Sequence, residues 1–236
     1  MSLDRRTRRG QKSPWKPAPE RARARQEARA DKRDAVIAAA ARAFRERGVH
    51  ATTLDDIAAF LNVTKPTIYY YVAGKEQLIV ECFRIGVGRL SDALDELSRD
   101  RGSGRAKIAA LARRYAQVMA SDFGWCMVRV EDHDVSPTVA RRLKAMKSGI
   151  DQGLRRFICE GIEDGSLREC DPKMTAFALA GALNGIGHWY REGELSPNEI
   201  AARFIELFER GLAAEAAAPM SASGAAPTPV KRTSTA

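Results

Sequence analysis

Two lysines, three consecutive tyrosines and four threonines fall within residues 52–78, TTLDDIAAFLNVTKPTIYYYVAGKEQL. Ammonium, phenol and hydroxyl groups at this density suit contact with phosphates and base edges, provided that a scaffold holds them on one exposed surface. Neighbouring apolar residues supply the scaffold. Leu54, Ile57, Ala58 and Leu61 stand at i, i+3, i+4 and i+7, the stripe of a short amphipathic helix. Thr53 precedes the stripe and Asp56 follows three residues on, an N-cap with an acidic first turn. Asn62-Val63-Thr64 breaks the pattern, and a second short helix opens with Pro66 near its first turn, where a missing N–H is harmless. Two short helices joined by such a turn make a helix-turn-helix, whose second helix is shaped for a DNA major groove.

The elements that must hold this motif are also visible. Ile37, Ala40, Ala41 and Phe44 give a preceding helix one apolar face, and Arg45-Glu46-Arg47-Gly48 ends it with basic residues and a glycine. Ala73-Gly74-Lys75-Glu76 starts another helix. The run from AAARAFRERGVHATTLDDIA through LNVTKPTIYYYVAGKEQLI resembles the DNA-binding domain of the TetR/AcrR family of bacterial repressors, over roughly residues 33–80. Asn62 stands where that family usually has glycine, and Val72 where it usually has phenylalanine. Asparagine tolerates a left-handed backbone and valine stays apolar, so both departures fit the motif.

The resemblance implies a DNA-binding role for Thr53, Thr64, Lys65, Pro66, Thr67, Tyr69, Tyr70, Tyr71 and Lys75. Lys65 and Thr67 lie at the exposed end of the recognition helix, where lysine favours guanine O6/N7 and threonine offers a hydroxyl or a methyl. Tyr69 and Tyr71 project about 200° apart at 3.6 residues per turn, so one phenol should reach phosphate while the other ring packs inward. Thr53 and Lys75 are expected on the DNA backbone.

Charge is placed unevenly over the 236 residues. Residues 1–33 hold twelve Lys/Arg against four Asp/Glu, nearly the whole net charge of +9. The first nineteen residues are too polar and proline-rich to form a core, whereas the stretch from Glu20 favours helix and can extend the first helix backwards on binding. This arm is expected to track DNA phosphates; the plainer reading is a solubilising tail.

The expected fold is all-α. A basic arm (1–32) precedes a three-helix DNA-binding domain (33–78), a helical-bundle effector-binding and dimerisation domain (79–214) and a disordered tail (215–236). Helices are predicted near 75–98, 105–121, 137–164, 172–192 and 197–213, with Ser136-Pro137, Asp171-Pro172 and Ser196-Pro197 starting the last three and Gly124 and Gly165 marking turns. A single helix-turn-helix reads one half-site, so a homodimer on a palindromic double-stranded operator is expected. Its candidate interface combines Ala180, Gly181, Asn184 and Gly185 with Ile200, Phe204, Leu207, Phe208 and Gly211, as the resemblance implies because the family pairs its last two helices. The plainer reading is internal core at Ile200 and Phe204, with the small residues packed inside the same subunit.

Phe83, Met119, Phe123, Trp125, Met127, His133, Asn184, His188 and Trp189 are the candidate lining of a pocket for a small hydrophobic or amphipathic effector, with plain core packing as the alternative for each. Glu131-Asp132-His133-Asp134 reads as a polar loop before the Ser136 cap, so no metal and no cofactor are expected. Cys82, Cys126, Cys159 and Cys170 lack Cys-x-x-Cys spacing, which fits reduced thiols in a cytoplasmic protein. No apolar run is long enough to span a bilayer and no export signal is expected. There is no phosphate loop, nucleophile elbow or His/Glu metal spacing, so an enzyme is not expected. The expected protein is a ligand-responsive repressor; a sequence-tolerant architectural DNA-binding protein and a cysteine redox sensor are the alternatives.

Overall fold

The computed structural model describes residues 19–193 and 195–212. The start of the basic arm and the tail from residue 213 lie outside these. Among the described residues there are nine α-helices and no strand. They are α1 (Pro19–Arg47), α2 (Leu54–Phe60), α3 (Lys65–Tyr71), α4 (Lys75–Ser98), α5 (Gly104–Ala120), α6 (Asp122–Arg129), α7 (Pro137–Glu163), α8 (Pro172–Trp189) and α9 (Pro197–Leu212). A 3₁₀ turn at Asp132–Asp134 separates α6 from α7.

α1, α2 and α3 form a small head. Ile37, Phe44, Ile57 and Ile68 are wholly buried, and Leu78 and Ile79 carry this core onto α4. The sequence suggests that the stretch from Glu20 extends the first helix backwards on binding, but α1 is already continuous from Pro19. Alanine, arginine, glutamine and glutamate favour helix intrinsically, and Arg33 is tied to Glu81 of α4 at 2.9 Å. Gly48 ends α1 at φ 84°, a conformation that glycine adopts without strain.

α5 is the central strut of the body, packed against α4, α6, α7, α8 and α9. Leu90, Leu111, Met119, Leu154 and Phe157 fill the space between these helices. The five predicted body helices all form, within a few residues of the expected bounds. α6 corrects the sequence reading. Gly124 does not mark a turn; it lies inside α6, where an added Cβ would clash with the Val118 carbonyl oxygen. The residue is glycine because α6 folds tightly back on the end of α5.

Candidate nucleic-acid interface and effector cavity

The start of α2 is locked by a reciprocal cap. Thr53 Oγ accepts from the Asp56 amide at 3.2 Å, and the Asp56 carboxylate accepts from the Thr53 amide at 2.8 Å. The Thr53 hydroxyl, its amide and nearby Arg47 hold the Asp56 carboxyl below its ordinary range. Asn62 then adopts φ 55°, the left-handed turn that its side chain tolerates, and α3 begins.

α3 buries Ile68 and turns its other side outward. Lys65, Tyr69 and Tyr70 are exposed, whereas Tyr71 is half-buried and packs against the core. Lys65 pairs with Asp55 at 2.7 Å, which raises its already high pKa. Both groups face water, so the pair is weak and leaves Lys65 free to exchange partners. Thr64 and Thr67 hydroxyls share a 2.9 Å hydrogen bond, and Pro66 occupies the first turn. Lys75 opens α4 and donates to the His50 carbonyl at 3.2 Å.

The long N-terminal part of α1 runs beside this surface. Arg25, Arg29, Lys32, Tyr70 and Tyr71 share a groove, with the Arg29 guanidinium 4.8 Å from the Tyr70 ring centre. Cations of the arm and phenols of the recognition helix thus form one surface suited to a phosphate backbone.

The body contains a cavity of about 170 Å³ lined by Tyr115, Met127, Lys147, Ile150, Asp151, Leu154, Phe177, Ala180 and Asn184. Tyr115 donates to Asn184 Oδ1 at 3.0 Å; burial pushes its phenol up to about 12, opposed by that hydrogen bond. Burial also lowers the pKa of Lys147, against the nearby charge of Asp132. The ammonium lies 5.1 Å from the Phe83 ring centre.

The structure separates the nine pocket candidates. Met127 and Asn184 line the cavity. Phe83 and Met119 are almost completely buried in the core, and Phe123 packs at its edge beneath Arg89. Trp125 and His188 line a different cleft of about 690 Å³, between α1 and the ends of α6 and α8. With Arg42, Arg45, Arg129 and Arg191 on its walls, that cleft is too polar for an apolar effector. His133 lies against His50 near the head, and Trp189 is half exposed on the outside of α8. Periodicity found the apolar residues but not which of them face the cavity. Tyr115, Lys147 and Asp151 escaped notice because nothing in their spacing marks them.

Arg45 was also invisible as more than a basic helix end. It crosses from α1 to the body, donating to the Ala120 carbonyl at 3.1 Å, Asp122 Oδ1 at 3.0 Å and the Tyr190 carbonyl at 3.4 Å. Cys82 and Cys126 lie wholly buried between α4 and α6. A hydrogen bond with Cys82 and the buried setting push the Cys126 thiol well above its ordinary pKa.

A family model described as bacterial regulatory proteins of the tetR family matches residues 36–82. A second, described as a tetracyclin repressor-like C-terminal domain, matches residues 101–212. The HTH-type transcriptional regulator YhgD of Bacillus subtilis is 27% identical, over 78% of this chain and 98% of its own length. The HTH-type transcriptional repressor KstR2 of Mycolicibacterium smegmatis is 26% identical, over 78% of this chain and 91% of its own. Among solved structures, AibR in complex with isovaleryl coenzyme A and operator DNA superposes with a TM-score of 0.65 at 22% identity, covering 74% of this chain and 96% of that one.

Proposed function

The chain belongs to the TetR family of bacterial transcriptional regulators, and from that premise we propose that it is a homodimeric repressor of a palindromic operator, released by a small amphipathic effector. The observation that carries the DNA-binding part is the face of α3, where Lys65, Tyr69 and Tyr70 stand out from a helix anchored by Ile68. Two such helices, one per subunit, would enter successive major grooves.

The effector class rests on the cavity. Aliphatic and aromatic walls with Tyr115, Lys147 and Asn184 as polar anchors suit a compound with an apolar body and a polar or anionic end. AibR was crystallised with an acyl-coenzyme A, and KstR2 of Mycobacterium tuberculosis is described as a ketosteroid regulator, which points to an acyl-type or similarly lipophilic metabolite. The redox alternative is disfavoured by the raised Cys126 thiol, since the thiolate is the reactive form.

Operator binding by variants tests the division of labour on DNA. Lys65→Ala is expected to relax sequence preference. Lys75→Ala is expected to weaken all DNA binding and to lower the salt slope by about one. Equal loss of specificity in both variants would refute the assignment, and an operator affinity that no lipophilic ligand alters would favour an architectural protein.

A further inference from the structure

Side chains from two distant parts of the chain meet where the head joins the body. His50 lies in the connection between α1 and α2, whereas His133 and Asp134 belong to the 3₁₀ turn before α7. His50 Nε2 is 2.6 Å from Asp134 Oδ1. The two imidazoles stack, with centres 5.3 Å apart and planes 11° from parallel. One ligand atom from each of the three residues lies within 4.8 Å of the others.

Two imidazoles and a carboxylate form a donor set that suits borderline divalent ions, zinc above all. Bond lengths of about 2.0–2.2 Å place neighbouring ligands of a tetrahedral ion about 3–4 Å apart, so a small closure of this cluster would suffice. Its carboxylate is already oriented. The Asp134 side chain is only 6% exposed, and its second oxygen accepts from the Glu131 amide at 2.8 Å. The Glu131 carboxylate lies 3.4 Å from His133 Nδ1, where it can hold that ring's orientation as an outer partner. Two cations stand nearby with partners of their own: Lys75 on the His50 carbonyl and Lys144 on Asp132 at 3.0 Å.

We propose that His50, His133 and Asp134 form a binding site for a zinc-class divalent transition ion that cross-links the DNA-binding head to the body. Glu76 of α4 accepts from the Ser136 amide at the same junction, so the ion would join surfaces that already meet. It would fix the connection leading to Thr53 and α2 relative to the start of α7. Operator affinity would thereby respond to metal independently of the internal cavity, because an ion that prefers one head placement shifts the population toward it.

The test uses full-length protein, freed of any affinity tag and stripped of metal, titrated with Zn²⁺ by calorimetry and with Co²⁺ by absorption. Expected are one ion per subunit, ligand-field bands without thiolate charge transfer, and affinity weakened about tenfold or more in both His50→Ala and His133→Ala. Both histidines are largely exposed, so these variants should fold. Zn²⁺ should raise the melting temperature of the wild type and not that of His50→Ala. Absence of binding, undiminished affinity in the variants, a thiolate band or equal melting shifts would overturn the proposal.

Discussion

Tyr115 couples the body cavity to stability through one proton. Its hydroxyl spans to Asn184, and burial raises the phenol from 10.0 to about 12. Below about pH 10 both folded and unfolded chains keep this proton, so the group adds no pH dependence there. Between about 10 and 12 the unfolded chain releases it while the folded chain retains it. Stability must therefore fall with rising pH, by up to about 3 kcal/mol. Urea titrations across this range should show a steeper loss for the wild type than for Tyr115→Phe; parallel curves would refute the assignment. Asn184 was legible in the sequence because a polar residue amid FALAGALNGIG is conspicuous. Its partner was not, since a tyrosine on an amphipathic helix looks like ordinary core.

At the scale of elements, α6 connects the cavity to the head. Met127 forms part of the cavity wall and packs on Gly86 of α4, where an added Cβ would push its thioether aside. One turn earlier, Asp122 receives Arg45 from α1. A ligand that displaces Met127 thus acts on a helix tied to α1 by an arginine. Arg45→Ala should keep specific operator binding while reducing the effector-induced change in affinity about fivefold or more, read by anisotropy with and without ligand. An unchanged ligand response would remove Arg45 from the coupling route. The helices that proline-led caps announce, α7, α8 and α9, were legible in outline because the start signal is local. α6 was not, being eight residues long with a glycine whose purpose is contact with α5. Likewise, His50 and Asp134 become neighbours only through packing across the junction, and their spacing along the chain carries no sign of it.

The whole molecule presents a surface that a single subunit leaves uncovered. Met174, Ala178, Gly181, Gly185 and Trp189 follow one another along the outside of α8 at helical spacing, with Phe177 beside them. Met174, Phe177, Trp189 and Leu207 of α9 are each about half exposed or more. Part of the interface expected from sequence belongs elsewhere: Ile200 is buried within the subunit, and Ala180 and Asn184 face the cavity. Small and large apolar residues side by side favour close approach of a second copy, and exposed apolar patches of this kind mark association sites. Gly181 discriminates between association and folding, because an added Cβ there meets nothing within 4 Å inside the subunit. Gly181→Arg should therefore not destabilise the subunit, and helix propensity should stabilise it by about 0.5–1 kcal/mol, apart from the contribution of association itself. On the proposed dimerisation the wild type should elute as a dimer and Gly181→Arg as a monomer. Operator affinity should drop about a hundredfold or more, because one head then binds without the effective concentration that its partner supplies. A Gly181→Arg protein that remains dimeric would move the interface off α8, whatever its affinity for DNA.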